Sequence, residues 1–270
     1  MDRKLALVTG ASAGIGAAFA RLLAAKGYDL ALTARRADRL DALAGEIRGK
    51  HGVEVLVVPA DLAEPSAPAA ILAQLAAQGR SVDVLVNNAG YGVPGGYGEV
   101  AWAEHAAFIQ VMTTAPCELA HRVLPGMLGR GFGRIVNVAS LAGLIPGAPG
   151  ATLYGASKAF LVKFTESLHV EVAGSGVHVS ALCPGMTYSE FHDVNGTRPQ
   201  MRATIPAWMW QDAEAVVAAG YAAMEANRAI CVPGAPNKAV AALAKAIPNS
   251  WALALIASGS PVRKPQPAPQ

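Results

Sequence analysis

The sequence predicts an α/β fold, a doubly wound parallel sheet of about seven strands with helices on both faces. Three observations carry this. Short Val- and Leu-rich runs recur at strand length, and alanine-rich stretches of helical length separate them. The residues of chemical interest fall just past the ends of those runs, where such a sheet opens its ligand crevice.

Composition bounds the rest. A chain of 270 residues, 53% hydrophobic and 15% charged, suits one domain with a large core. That domain is expected over residues 1–250, with a lid at 186–211 and a C-terminal extension at 251–270. Prolines at 261, 265, 267 and 269 predict a disordered or extended tail. A net charge of +3 without a basic run or interleaved aromatics argues against nucleic-acid binding. Cys117, Cys183 and Cys231 lack metal-ligand spacing and the histidines do not cluster, so buried free thiols in a reducing cytoplasm are expected and no metal site. The first apolar run ends in a glycine loop, unlike a secretory signal. The apolar run at 251–257 falls short of the roughly 20 residues that span a bilayer. It is expected to cover a substrate pocket, pack on another subunit or touch a membrane surface.

Taken in order, the first strand is Leu5–Thr9. Gly10-Ala-Ser12-Ala-Gly14-Ile15-Gly16 follows and opens a helix. Strand, glycine turn and helix make a phosphate cradle: Gly10 permits the turn, Gly14 lets amides approach a pyrophosphate, and Gly16 lets the helix pack closely. Ser12 either contacts phosphate or stabilises its own turn. Further strands are expected at 30–33, 53–58, 82–86, 134–138, 178–182 and 230–232. Past them stand Ala34-Arg35-Arg36, Asp61-Leu62, Asn87-Asn88-Ala89-Gly90, Ser140 and Pro184-Gly185.

A helix expected over 150–175 carries Tyr154-Gly-Ala-Ser-Lys158. Spacing of i, i+4 puts phenol and ammonium on one face. With Ser140 they supply a proton donor, a cation to tune it and a hydroxyl to hold a carbonyl. Lowering a phenol from its usual pKa of about 10 by roughly three units needs about 4 kcal/mol, which a lysine and a positive cofactor ring could provide.

Together these motifs resemble the short-chain dehydrogenase/reductase family over roughly residues 4–235. The resemblance implies a Rossmann-type domain and an enzyme that interconverts a carbonyl and an alcohol with NADP(H). In it Ser140, Tyr154 and Lys158 are catalytic, and Gly10, Ser12, Gly14, Ile15 and Gly16 form the cofactor loop. Asp61 and Leu62 stand on the adenine side, and Asn88, Ala89 and Gly90 support the ribose. Lys158 also meets the nicotinamide ribose, alongside Tyr154. Pro184, Gly185 and Thr187 lie beside the carboxamide or pyrophosphate, although Thr187 and Ser189 are equally placed to cap a lid helix. Asn87 is expected to tie neighbouring strands. Arg35 and Arg36 replace the aspartate of the family's NAD-using branch, and two guanidiniums suit a 2′-phosphate; the alternative is a solvated helix start, with Arg36 and Arg39 along an exposed face near Asp38 and Asp41. A homodimer or homotetramer through residues 108–127 and 154–168 is implied.

The lid carries Phe191, His192, Trp208, Met209 and Trp210, which favour a bulky apolar or acyl-type substrate. The two tryptophans either pack the lid on the body or form an oligomer contact. One residue departs from the family: Met112 stands where most members carry the asparagine of a water relay from the lysine. A thioether is a weak acceptor. The expectation is a working but unhurried reductase, the alternative a cofactor-binding regulator with little redox activity.

Overall fold

The computed structural model describes residues 3–93, 95–150, 152–190 and 205–259. Seven parallel strands form its sheet, in the order β3-β2-β1-β4-β5-β6-β9. They are β1 (Leu5–Thr9), β2 (Asp29–Thr33), β3 (Val55–Val57), β4 (Val82–Asn87), β5 (Gly133–Val138), β6 (Val177–Leu182) and β9 (Ile230–Cys231). The order reverses between β1 and β4, so loops leaving the two strands diverge and open a crevice at the carboxyl edge. A separate two-residue ladder pairs β7 (Thr187–Tyr188) with β8 (Gln211–Asp212).

Alternation along the strands sorts the core into two layers. Ala6, Val8, Val84, Val86 and Val136 meet Phe19 and Leu23 of α1 (Gly14–Ala25), Leu40 of α2 (Ala37–His51) and Val216 of α7 (Ala213–Glu225). Leu5, Leu7, Leu85 and Ile135 point the other way. They meet Ile71 of α3 (Ala67–Ala77), Leu119 of α5 (Ala115–Arg130) and Leu168 of α6 (Thr152–Glu171). At the amino edge Arg80 ties Asp29, at 2.8 Å, to Glu54. Ion pairs stitch that end, and the carboxyl edge opposite carries the loops with the residues of chemical interest.

The helix expected from residue 150 starts at Thr152 and ends at Glu171. The stretch 108–127 is not one regular helix: α4 (Trp102–Ile109) runs into a π-helical turn, Gln110–Thr114, before α5. Pro116 accounts for the shift, because it has no N–H to donate to the Met112 carbonyl, and Ala115 N–H instead reaches back to Gln110. Asp212 stands at the N-cap of α7 but makes no side-chain cap bond. Of the expected lid, residues 191–204, with Phe191 and His192, lie outside the described residues. Trp210 is buried and stacks on Tyr188 at 5.1 Å, whereas Trp208 is exposed. After α8 (Ala235–Ala246), the expected extension begins within a further helix, α9 (Asn249–Gly259), and residues 260–270 are outside the described set. Only Cys183 is fully buried; Cys117 and Cys231 are partly exposed free thiols. Among the described residues no helix is long and apolar enough to cross a membrane, and no cluster suits a metal ion.

Candidate active site

Ser140 leaves β5 by two residues and caps a short turn, Leu141–Gly143, its Oγ accepting from Ala142 N–H at 3.1 Å. The turn is seated directly on α6: a Cβ on Gly143 would lie 2.6 Å from the Lys158 carbonyl carbon. That close approach brings the Ser140 side chain beside the Tyr154 phenol, where it favours the ionised form. Lys158, one helical turn on, is buried and donates from Nζ to the Val138 carbonyl at 2.8 Å. Its Nζ stands 5.6 Å from the Tyr154 ring centre. The three side chains predicted to act together therefore meet at one point of the carboxyl edge.

The electrostatics refine the expectation. Desolvation pushes the Tyr154 phenol above its ordinary value, and the Ser140 side chain only partly offsets it. The chain alone does not produce the predicted depression. It holds the phenol protonated, the state a proton donor needs. Burial lowers the Lys158 ammonium to about 8, although the neighbouring Cys183 favours its charged form. Burial in turn raises the Cys183 thiol to about 12.

The glycine turn is built as predicted. Gly10 and Gly14 have φ of +66° and +52°, in the left-handed region, and a Cβ on Gly16 would overlap the Gly10 carbonyl oxygen. Asn88 braces the turn, donating from Nδ2 to the carbonyls of Thr9 at 2.9 Å and Gly10 at 3.2 Å. Ile15 packs on the core beneath. Asn87 ties strands: its Nδ2 donates to Asn137 Oδ1 at 2.9 Å, and Asn137 donates to Thr165 of α6. Asp61 Oδ1 accepts from Ala63 N–H at 3.0 Å, and Leu62 is buried. Pro184 O accepts from Leu141 N–H at 2.8 Å, so the turn after β6 also braces Ser140's turn. Gly185 packs against Asn237, and buried Thr187 donates to the Gly185 carbonyl at 3.2 Å. Met112 is buried with its sulfur against Gly90; a Cβ there would lie 2.9 Å away. It lines a small cavity with Thr9, Asn87 and Ala89. Thr113 commits its hydroxyl proton to the Ile109 carbonyl at 2.6 Å, which leaves it only as an acceptor in a relay.

The nucleotide chemistry fits. Ala13, at the N-cap of α1, supplies no side-chain cap and the first turn holds no acidic residue, so the helix N-terminus is available to an anion. Arg36 and Arg39 already hold an anion, the Glu190 carboxylate, at 3.1 and 2.6 Å. Arg36 also donates to Ser12 Oγ at 3.0 Å. Arg35 is exposed and takes no part in that cluster. The pairing of Arg39 with Glu190 escapes sequence reading because it joins residues 151 positions apart.

A second cavity reaches Tyr154. Its walls are Val93, Tyr97, Val100, His105, Phe108 and Leu153. His105 is buried, stacks on Tyr97 at 4.7 Å and donates from Nε2 to the Tyr97 carbonyl at 2.9 Å. This wall came from residues with no motif to mark them, since aromatic side chains at helical spacing read equally as core.

A family model described as short chain dehydrogenase matches residues 4–199. A very-long-chain 3-oxoacyl-CoA reductase of Anas platyrhynchos is 40% identical over 185 residues, 66% of this chain and 58% of that protein. The chain thus spans less than two thirds of that relative's length. A sulfoacetaldehyde reductase of Chromohalobacter salexigens is 38% identical over 189 residues, 69% of this chain and 74% of that one. Among solved structures, a short-chain dehydrogenase from Sphingobium yanoikuyae in complex with NADPH superposes with a TM-score of 0.79 at 33% identity, covering 97% and 98% of the two chains.

Proposed function

The chain belongs to the short-chain dehydrogenase family, and on that premise we propose that it is an NADP(H)-dependent oxidoreductase interconverting a ketone or aldehyde and its alcohol. The observation that carries the reading is the placing of Ser140 beside a protonated, desolvated Tyr154, with Lys158 one turn away on α6 and held by the Val138 carbonyl. NADP(H), when bound, supplies or accepts the hydride. Ser140 Oγ holds the substrate oxygen, and Tyr154 Oη delivers the proton to it as negative charge develops. Lys158, fixed by the Val138 carbonyl, presents a cation beside the phenol and toward the ribose. Arg36, with Ser12 beside it, is the anion site that favours the 2′-phosphate. Val93, Val100, Phe108 and Leu153 line the approach to Tyr154, which supports a bulky apolar or acyl-type substrate. The two relatives named above act on very different carbonyls, so this part of the reading rests on the lining alone. Assembly as a homodimer or homotetramer through α5 and α6 belongs to the same reading, and exposed Phe160, stacked on Phe164 of α6, supports it.

Tyr154→Phe tests the chemistry. It is expected to lower NADPH-dependent reduction of aliphatic, aromatic, steroid and β-ketoacyl substrates by about a thousandfold while NADPH affinity stays nearly unchanged. Most of the rate surviving in that variant would remove Tyr154 as the acid. Absence of any redox activity in the wild type, despite NADPH binding, would make the chain a cofactor-binding regulator.

A further inference from the structure

We propose that Glu190 is a specificity-determining counter-charge, whose carboxylate occupies Arg36 and Arg39 until a 2′-phosphate displaces it. The proposal rests on the NADP(H) reading above. Arg39 Nη1 donates to both Glu190 oxygens, at 2.6 and 2.7 Å, and Arg36 Nη1 donates to one of them at 3.1 Å. The other Arg36 nitrogen donates to Ser12 Oγ at 3.0 Å. One carboxylate thereby links the start of α2 and, through Arg36, the glycine loop. Its partners are 151 and 154 residues away, unlike the local i, i+4 pair Glu118–Arg122 and i, i+3 pair Lys163–Glu166 of the outer helices.

The backbone holds Glu190 there. Thr187 and Tyr188 are paired to Gln211 and Asp212, and Ser189 lies against the glycine turn, its Cβ 2.8 Å from where a Cβ on Gly14 would stand. Hydrogen bonds from Arg39 and Arg36 hold the Glu190 carboxyl below the usual range, so it is an anion at neutral pH. A phosphate monoester brings nearly two charges and three acceptor oxygens to the same guanidiniums, against one charge and two oxygens for the carboxylate. A ribose hydroxyl brings no charge, so a cofactor without the 2′-phosphate leaves the Glu190 contacts in place. Apparent affinity for the phosphorylated cofactor is then reduced by the fraction of molecules whose arginines are covered.

Calorimetric titration of NADPH, NADH, adenosine 2′-phosphate and adenosine 5′-phosphate into wild type, Glu190→Gln, Glu190→Ala, Arg36→Ala and Arg39→Ala tests this. Both Glu190 variants are expected to bind NADPH and adenosine 2′-phosphate about tenfold more tightly, if about a tenth of the arginine pairs are free in wild type. NADH and adenosine 5′-phosphate should be unmoved. Added salt should narrow the gain, because the pair is partly exposed. Unchanged or weaker NADPH binding in both Glu190 variants overturns the proposal, and so does equal tightening of NADPH and NADH. If that happens while Arg36→Ala or Arg39→Ala still loses NADPH selectively, the cofactor reading stands without the counter-charge. If neither arginine variant discriminates NADPH from NADH differently from wild type, the cofactor reading fails first.

Discussion

At the scale of single residues, Met112 is the position where chemistry and packing compete. Its thioether fills the space over Gly90 and walls a cavity in which the buried Asn87 Oδ1 has no hydrogen-bond partner. An amide in its place could donate to such an acceptor and could hold a water, which a thioether does poorly. Met112→Asn is therefore expected to raise steady-state turnover on small ketones severalfold; equal or lower turnover at unchanged NADPH affinity would assign Met112 to packing alone. Tyr154, Ser140 and Lys158 were legible as residues because their chemistry is tied to type and spacing. What their surroundings do to them was not. The Lys158 bond to a backbone carbonyl and the desolvation of Tyr154 depend on how closely a neighbouring turn packs, which no motif encodes.

Among the elements, the Leu141–Gly143 turn shows how the catalytic side chains are aligned. Its contact with the Lys158 backbone leaves no room for a side chain, so Gly143→Val must lift the turn from α6 and carry Ser140 away from Tyr154. A displacement of about 1 Å at such a site costs on the order of a hundredfold in rate, so kcat should fall by that factor while NADPH still binds. A parallel loss of NADPH affinity would mean that the damage spreads to the nucleotide half. Strands and the glycine turn were legible because alternation, Val/Leu runs and positive-φ glycines are local signals. The π-helical turn could have been found from Pro116, whose missing donor falls four residues after Met112. The ion pairs of Glu190 with Arg36 and Arg39 could not, because side chains so distant in sequence meet only through the completed fold.

For the whole molecule, the buried catalytic lysine makes stability depend on pH. Its folded value of about 8 lies below the ordinary 10.5, so the unfolded chain binds more protons between these limits. The cost of burying the charge is fully present below pH 8 and is relieved as pH rises. Cys183, whose ordinary value of 9.0 is raised to about 12, opposes this only above pH 9, where the unfolded thiol ionises first. Denaturant unfolding should thus show stability rising from pH 8 to pH 9 in wild type, with a flatter profile in Lys158→Met; identical slopes would show that the lysine is not desolvated in solution. The β7–β8 ladder has a different consequence, one that concerns descent rather than energetics. It closes the chain between Tyr188 and Gln211 on two paired residues, reinforced by the Tyr188–Trp210 stack and the Asn237–Gln211 hydrogen bond. Two strands so short persist only while their flanking contacts persist, so the ladder, the stack and the amide bond are expected to change together along a lineage rather than one at a time.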